Sequence, residues 1–268
     1  SKEALEYWMP VDWYNGGMEH TTLHLLYSRF WYKFLYDIGI VPTPEPYSKR
    51  TSHGLVLGED NEKMSKSRGN VINPDEMVDR CGADSFRLFE LFMGAFDQPI
   101  PWSTQGLVGM QRFLYRVWDL QYKVMPSNGD GQQDGDRLVH QTIKKVGEDI
   151  EEMKYNTALA QLMSLANWFG KKERIEPSHW DAFVKLMAPF APHIAEELYE
   201  ARGHKKGLAR EPWPVFDPEK AKEDEIEVPV QVNGRLRDVI KVAAGSDQDT
   251  LLKAAMASDK VASSIEGK

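Results

Sequence analysis

What most constrains this chain is a change of texture at Trp102. Before it, apolar residues come in short runs broken by glycine and proline. After it they recur every three or four residues over four long stretches, roughly Thr104 to Val124, Asp136 to Met153, Asn156 to Lys171 and Ser178 to Arg202. A 3.6-residue period puts one apolar stripe on each helix, and stripes of that kind are stable only when buried against one another. The sequence therefore predicts an all-α bundle, with the Pro126–Gly131 stretch as a loop between its first two helices. Trp31, Trp118, Trp168 and Trp180 sit at helical spacing with other apolar residues and read as core.

Ahead of the bundle, Trp8 to Tyr14 reads as a short buried strand and Asn15-Gly16-Gly17 as a flexible turn. Met18 to Ile38 reads as one helix, because Leu23, Leu26, Phe30, Phe34 and Ile38 share a face and Gly39 stands where a C-cap glycine would. Beyond Pro42, Pro44 and Pro46, His53 to Gly58 reads as a second strand ending in the polar turn Glu59-Asp60-Asn61. Asn73 before Pro74 caps one short helix, and Ala83-Asp84-Ser85 opens another through Leu88 and Phe92. These elements make an α/β first part. At the far end Val228, Val230 and Val232 alternate into Asn233-Gly234, and Leu236, Val239, Ile240 and Val242 resume beyond it, a strong hairpin signal. A helix over Asp247 to Met256 completes a small α+β unit that looks truncated.

Composition narrows the partners. The chain has 268 residues, 41% hydrophobic and 28% charged, which excludes wholesale disorder, and its apolar runs are far too short to cross a bilayer. With 33 Lys plus Arg against 41 Asp plus Glu, the net charge of −8 repels a polyanion, so any nucleic-acid surface must be local. The single cysteine, Cys81, forms no internal disulfide or cysteine-rich zinc site and fits a reducing cytoplasmic setting. Ser1-Lys2-Glu3 has neither an initiator methionine nor a basic-then-apolar start, so the natural protein is expected to be longer.

One segment carries chemistry. Glu62-Lys63-Met64-Ser65-Lys66-Ser67-Arg68-Gly69-Asn70 gathers cations on long stems, two hydroxyls and a flexible backbone between a strand and a helix, the equipment for holding a polyanion such as a triphosphate. His20 and His24, with Glu19 adjacent, could be imagined as a metal site. Their order is not the His-Glu-x-x-His of metalloproteases, however, and no third ligand is evident.

Lys63-Met64-Ser65-Lys66-Ser67 matches the signature loop of the class I aminoacyl-tRNA synthetases. Pro10 to His20 and Leu23 to Phe30 resemble the leucyl members specifically, as do Gly82 to Arg87, Arg112-Phe113-Leu114, Ala188 to Glu197 and Val230 to Arg237. Isoleucyl and valyl enzymes share the loop and the bundle, but usually carry an aspartate where Glu19-His20 stands. The resemblance implies a C-terminal portion of such an enzyme: the second half of a Rossmann-like nucleotide-binding domain (1–58), a signature-loop connection (59–103), an anticodon-binding-type bundle (104–212) and the truncated α+β unit (213–268).

The resemblance also implies roles. Lys63 and Lys66 would stabilise the triphosphate and the departing pyrophosphate, with Met64, Ser65 and Ser67 shaping the loop; Gly16, Gly17, Glu19 and His20 would hold the adenosine ribose; His53, Leu55 and Val56 would border the adenine; and His24 would line the leucine pocket. ATP with Mg2+, leucine and tRNA-Leu are the implied substrates, with no bound zinc and no membrane, in a monomeric whole enzyme. Lys144, Lys145, Lys171, Lys172, Arg174, Lys205 and Lys206 are the candidate tRNA phosphate contacts, each also readable as a solvated patch. The family's His-x-Gly-His element is absent, since none of the seven histidines are three apart, and neither the nucleotide fold's first half nor the editing domain is matched. The expectation is therefore a ligase portion inactive alone. A non-catalytic tRNA-binding module is the alternative, as is a valyl- or isoleucyl-type portion.

Overall fold

The computed structural model describes residues 1–126, 132–204, 207–222 and 225–265. Part of the loop after Pro126 and most of the acidic run 223–225 therefore lie outside the described residues. The chain divides into two compact units, one formed by Ser1–Asn128 with Thr142–Pro214, the other by Gly129–Gln141 with Val215–Lys268.

The first unit opens with α1 (Lys2–Trp8), β1 (Val11–Gly17), a 3-10 turn (Met18–Thr21), α2 (His24–Asp37) and β2 (Tyr47–His53). β1 and β2 are parallel, with Val11 opposite Tyr47 and Gly17 opposite His53. Three expectations are corrected here. The strand runs through Gly16 and Gly17 instead of turning at them, and most of it is exposed. The helix is not continuous from Met18: Leu23, at φ −113° and ψ −97°, leaves the helical region, and the β-branched pair Thr21-Thr22 just before it is a weak helix former. The third is β2 itself, a Ser-, Lys-, Arg- and Thr-rich strand with no apolar alternation to reveal it.

The expected second strand shrinks to β3 (Val56–Leu57). There follow α3 (Pro74–Cys81), where the Asn73 side chain accepts from the Asp75 amide, α4 (Ala83–Phe92), and β4 (Ile100–Pro101), which pairs in parallel with β3. α5 (Thr104–Leu120) starts with two caps: Ser103 Oγ accepts from the Gly106 amide, and the Glu59 carboxylate accepts from both the amide and the hydroxyl of Thr104. The bundle continues with α6 (Gln132–Glu151), α7 (Tyr155–Gly170), α8 (Pro177–Met187) and α9 (Pro192–Ala201). The single helix expected over Ser178 to Arg202 is broken at Ala188–Ala191, because Pro189 and Pro192 cannot donate backbone hydrogen bonds and Pro192 suits the first turn of a new helix.

Leu107, Phe113, Val117, Leu159, Leu162, Phe169, Trp180 and Phe183 are buried almost completely. The Phe183 ring lies 5.7 Å from Phe169 and 5.6 Å from Trp180, within the range of favourable aromatic pairs. Of the four tryptophans read as core only Trp180 is fully buried; Trp168 is partly exposed beneath the Lys172 ammonium, while Trp118 and Trp31 are 38% and 62% exposed. α4 grips the broken segment between α8 and α9. Asp84 accepts from the amides of His193 and Ile194 and pairs with the His193 ring, while Arg87 donates to the carbonyls of Pro189 and Phe190.

In the second unit β5 (Glu225–Val232) and β6 (Arg235–Ala243) form an antiparallel hairpin, followed by α10 (Gln248–Met256) and α11 (Asp259–Ile265). Asn233 and Gly234 both adopt positive φ, 55° and 74°, which fits the two-residue turn matched to strand twist.

Asp84 supplies to α9 what a capping carboxylate supplies to any helix start. Replacing it by alanine should cost the first unit about 1–2 kcal/mol in urea unfolding.

Candidate functional site

Parallel strands gather ligands at their carboxyl ends, and here β1 and β2 end side by side at Gly17 and His53. Glu19 and His20 are exposed in the following turn, and a Cβ on Gly17 would collide with the Glu19 carboxylate, so that side chain folds back over the strand end. His24 is the first residue of α2. Its Nδ1 lies 2.8 Å from the Tyr14 hydroxyl, with the two rings within 9° of parallel. The structure thus separates His20 and His24 into a 3-10 turn and a helix, rather than setting them on one helix face. Beside them, Arg50 Nε and Ser52 Oγ are buried with no hydrogen-bond partner among the described residues.

His53 Nδ1 lies 2.8 Å from the Gly54 carbonyl, and the Gly54 amide donates to the Phe96 carbonyl. A Cβ on Gly54 would fall on the Gln98 backbone, so glycine is required for this approach. The structure brings His53, Leu55 and Val56 together along a cavity of about 270 Å³ that Glu90 and Tyr155 also line. Burial pushes both the Glu90 carboxyl and the Tyr155 hydroxyl up from their ordinary ranges.

The basic segment folds as a tight loop after β3. Gly58 and Glu62 close it by a backbone hydrogen bond, Arg68 pairs with Glu62 at 2.8 Å, and the hydroxyls of Ser65 and Ser67 lie 2.9 Å apart. The Lys63 and Lys66 side chains are exposed and make no ion pair among the described residues; Met64 is half-buried. The Asn70 amide accepts from the Ser65 amide and donates to the Asp60 carboxylate. The Glu62 backbone amide, and after it Asn70, hold the Asp60 carboxyl below its ordinary range.

Among the tRNA candidates, Lys144 and Lys145 lie on α6 and pair with Glu148 and Asp149 one turn on. Lys171 caps the end of α7, Lys172 stacks on Trp168, and Arg174 lies between α7 and α8. Lys205 and Lys206 are outside the described residues. Reasoning from sequence missed Arg50, Gly54 and Asp60 as members of the site, and it placed Asn70 in the basic segment without giving it a role. The turn-forming Gly69-Asn70 pair was the one available signal for that role.

Residues 1–99 match the family model of class I tRNA synthetases for isoleucine, leucine, methionine and valine, and residues 136–252 match that of the anticodon-binding domain of tRNA ligases. Fold and site thus define a class I synthetase catalytic-type segment followed by a helical anticodon-binding domain. The chain is homologous over its whole length to the leucine–tRNA ligase of Alkaliphilus oremlandii, at 47% identity, and spans 33% of that relative. It is likewise similar to the leucyl-tRNA synthetase of Agrobacterium radiobacter K84, solved with tRNA and LeuAMS, with a TM-score of 0.83 at 33% identity over 96% of this chain and 36% of that one. A methionyl-tRNA synthetase from Mycobacterium tuberculosis, bound to methionyl-adenylate, shares the fold at a TM-score of 0.55 and 20% identity over 74% of this chain and 45% of that one.

Gly54→Ala should destabilise the first unit by about 1–3 kcal/mol in thermal or urea unfolding, because backbone must move to admit the methyl group. A pH effect is expected at Glu45, which accepts a bidentate bond from Arg29 and pairs with Lys33 of α2. These partners lower its carboxyl from 4.5 to about 2. Its contribution is therefore complete above pH 4.5 and is lost as pH falls towards 2. Wild type should exceed Glu45→Gln in stability near neutrality, and acid unfolding curves of the two should converge near pH 2.

Proposed function

We propose that this chain works as part of a leucine–tRNA ligase, in the ATP-dependent activation of leucine and its transfer to tRNA-Leu. The observation that carries this reading is the joint presence, in one unit, of the strand-end Gly16-Gly17-x-Glu19-His20 segment and a loop whose Lys63 and Lys66 ammonium groups meet no carboxylate among the described residues. Two uncompensated cations close together are unfavourable alone and become favourable when a polyphosphate arrives.

In the first step a leucine carboxylate oxygen attacks the α-phosphorus of ATP, and the bond to the bridging oxygen of the β-phosphate breaks. Lys66, with Lys63, balances the charge that gathers on the departing pyrophosphate, and ATP enters as its magnesium complex. Glu19 accepts from the ribose hydroxyls, Gly16 and Gly17 allow close backbone approach, and His53 with Leu55 and Val56 borders the base. Tyr14 fixes the His24 ring at the leucine side chain. In the second step a hydroxyl of the terminal tRNA ribose attacks the leucyl carbonyl and AMP leaves; the bundle holds the RNA by backbone and shape. The His-x-Gly-His half of the ATP clamp comes from outside residues 1–268, so the chain alone is inactive and acts within a monomeric, cytoplasmic enzyme.

The test is pyrophosphate exchange on mixing this chain with the complementary N-terminal portion of a leucine–tRNA ligase. Exchange should appear only on mixing and fall at least about 100-fold with Lys66→Ala. Salt-sensitive tRNA binding by the chain, with no exchange in any mixture and both portions shown to be folded, would instead support a non-catalytic tRNA-binding module.

A further inference from the structure

The basic loop poses a problem of its own. Lys63, Lys66 and Arg68 lie within six residues, and only Arg68 has a carboxylate partner among the described residues. Mutual repulsion favours an open loop, so something must hold its backbone in place before any anion arrives.

The Asn70 side chain has the geometry to do so. Its Oδ1 accepts from the Ser65 amide at 2.9 Å. Its Nδ2 donates to both oxygens of Asp60, at 3.2 and 3.1 Å, and points at the Lys63 carbonyl at 3.4 Å. One planar amide therefore ties down the backbone on both sides of Met64, and so sets the directions in which the Lys63 and Lys66 stems leave the loop. The task needs a donor and an acceptor on one short side chain. Aspartate would lose the donor and repel Asp60, glutamine would reach one methylene too far, and alanine would offer neither group. Asp60 is itself braced by the Glu62 amide at 3.1 Å. A Cβ on the buried Gly58 would lie 2.5 Å from Asp60 Oδ1 and 3.0 Å from Asn70 Nδ2, so the clasp closes only over a glycine.

We propose that Asn70 is a positioning residue: clasped to Asp60 over Gly58, it presets Lys63 and Lys66 to receive the phosphates of a nucleoside triphosphate. The inference rests on the reading of this loop as a polyphosphate site, and the experiment separates the two. Inorganic tripolyphosphate is titrated into the chain by calorimetry at several salt concentrations, with backbone amide exchange and melting temperature followed in parallel. Wild type should bind in a salt-dependent way and Lys66→Ala should bind more weakly. Asn70→Ala should weaken binding about tenfold with every cation still present. It should also speed amide exchange at residues 63–67 while leaving exchange in the bundle and the melting temperature unchanged. Asn70→Asp should weaken binding at least as much, because its carboxylate meets both the Asp60 oxygens and the Lys63 carbonyl with no donor to offer them. Wild-type affinity in Asn70→Ala, or unchanged amide exchange at residues 63–67 in that variant, overturns the positioning role while leaving the loop's reading intact. No binding by wild type, or none lost with Lys66→Ala, overturns the reading and the proposal together.

Discussion

The seating of α4 is the constraint on which the first unit depends. Leu88 and Phe89 are buried, Phe89 stands edge-on to the buried Trp102 at 4.8 Å, and Asp84 and Arg87 bind the proline-broken segment that starts α9. Fixing α4 in this way fixes the chain on both sides of it. Towards the N-terminus it carries α3 and the basic loop; towards the C-terminus it leads to β4, which pairs with β3. Trp102 then hands over directly to α5, whose first amide is held by Glu59 from the other end of the same connection. The loop is thus anchored to a packed aromatic core although its own residues are mostly exposed.

The N-terminal elements have no comparable anchor of their own. Tyr32 is the one buried residue of α2, while Leu26, Phe30 and Trp31 on the same helix are 56%, 70% and 62% exposed. The β1–β2 pair is tied onward through the Gly54 amide and the short β3–β4 ladder. A helix that spends its apolar residues on solvent is under-packed for its composition. The proposed place within a larger enzyme supplies a reason, since the rest of the nucleotide fold would need such a face to pack on.

The bundle was legible because period 3.6 is a property of each helix alone. One misreading there, a continuous helix through Pro189 and Pro192, came from letting apolar spacing outweigh the missing amide donors. β2 could not be read at all: five of its seven residues are half-buried, but they are polar side chains mostly held by hydrogen bonds rather than an apolar face, so no apolar alternation marks it. Trp31 and Trp118 were misread for the opposite reason, since periodicity says which residues share a face but not whether anything covers it. At the site, Lys63 and Lys66 could be picked out because charge is written in residue identity. The roles of Asp60, Asn70 and Gly54 were hidden because they consist of distances between atoms up to tens of residues apart.

The Lys145–Asp149 pair on α6 sets a limit on what that lysine can offer. The Asp149 carboxylate is 3% exposed and also accepts from the Thr157 hydroxyl at 2.7 Å, so it is built into the junction of α6 and α7. A phosphate that drew Lys145 away would leave behind a desolvated anion, a cost comparable to whatever the phosphate contributed. A cation already neutralised by its own helix also displaces fewer of the counterions condensed on a nucleic acid, and that displacement supplies much of the affinity for a polyanion. Lysine density on the bundle is therefore a poor guide to its grip on RNA. On the proposed reading the useful charges are those with no ion pair among the described residues, such as Lys171 at the end of α7, and a face with few lysines can bind more strongly than one where they are many but spoken for.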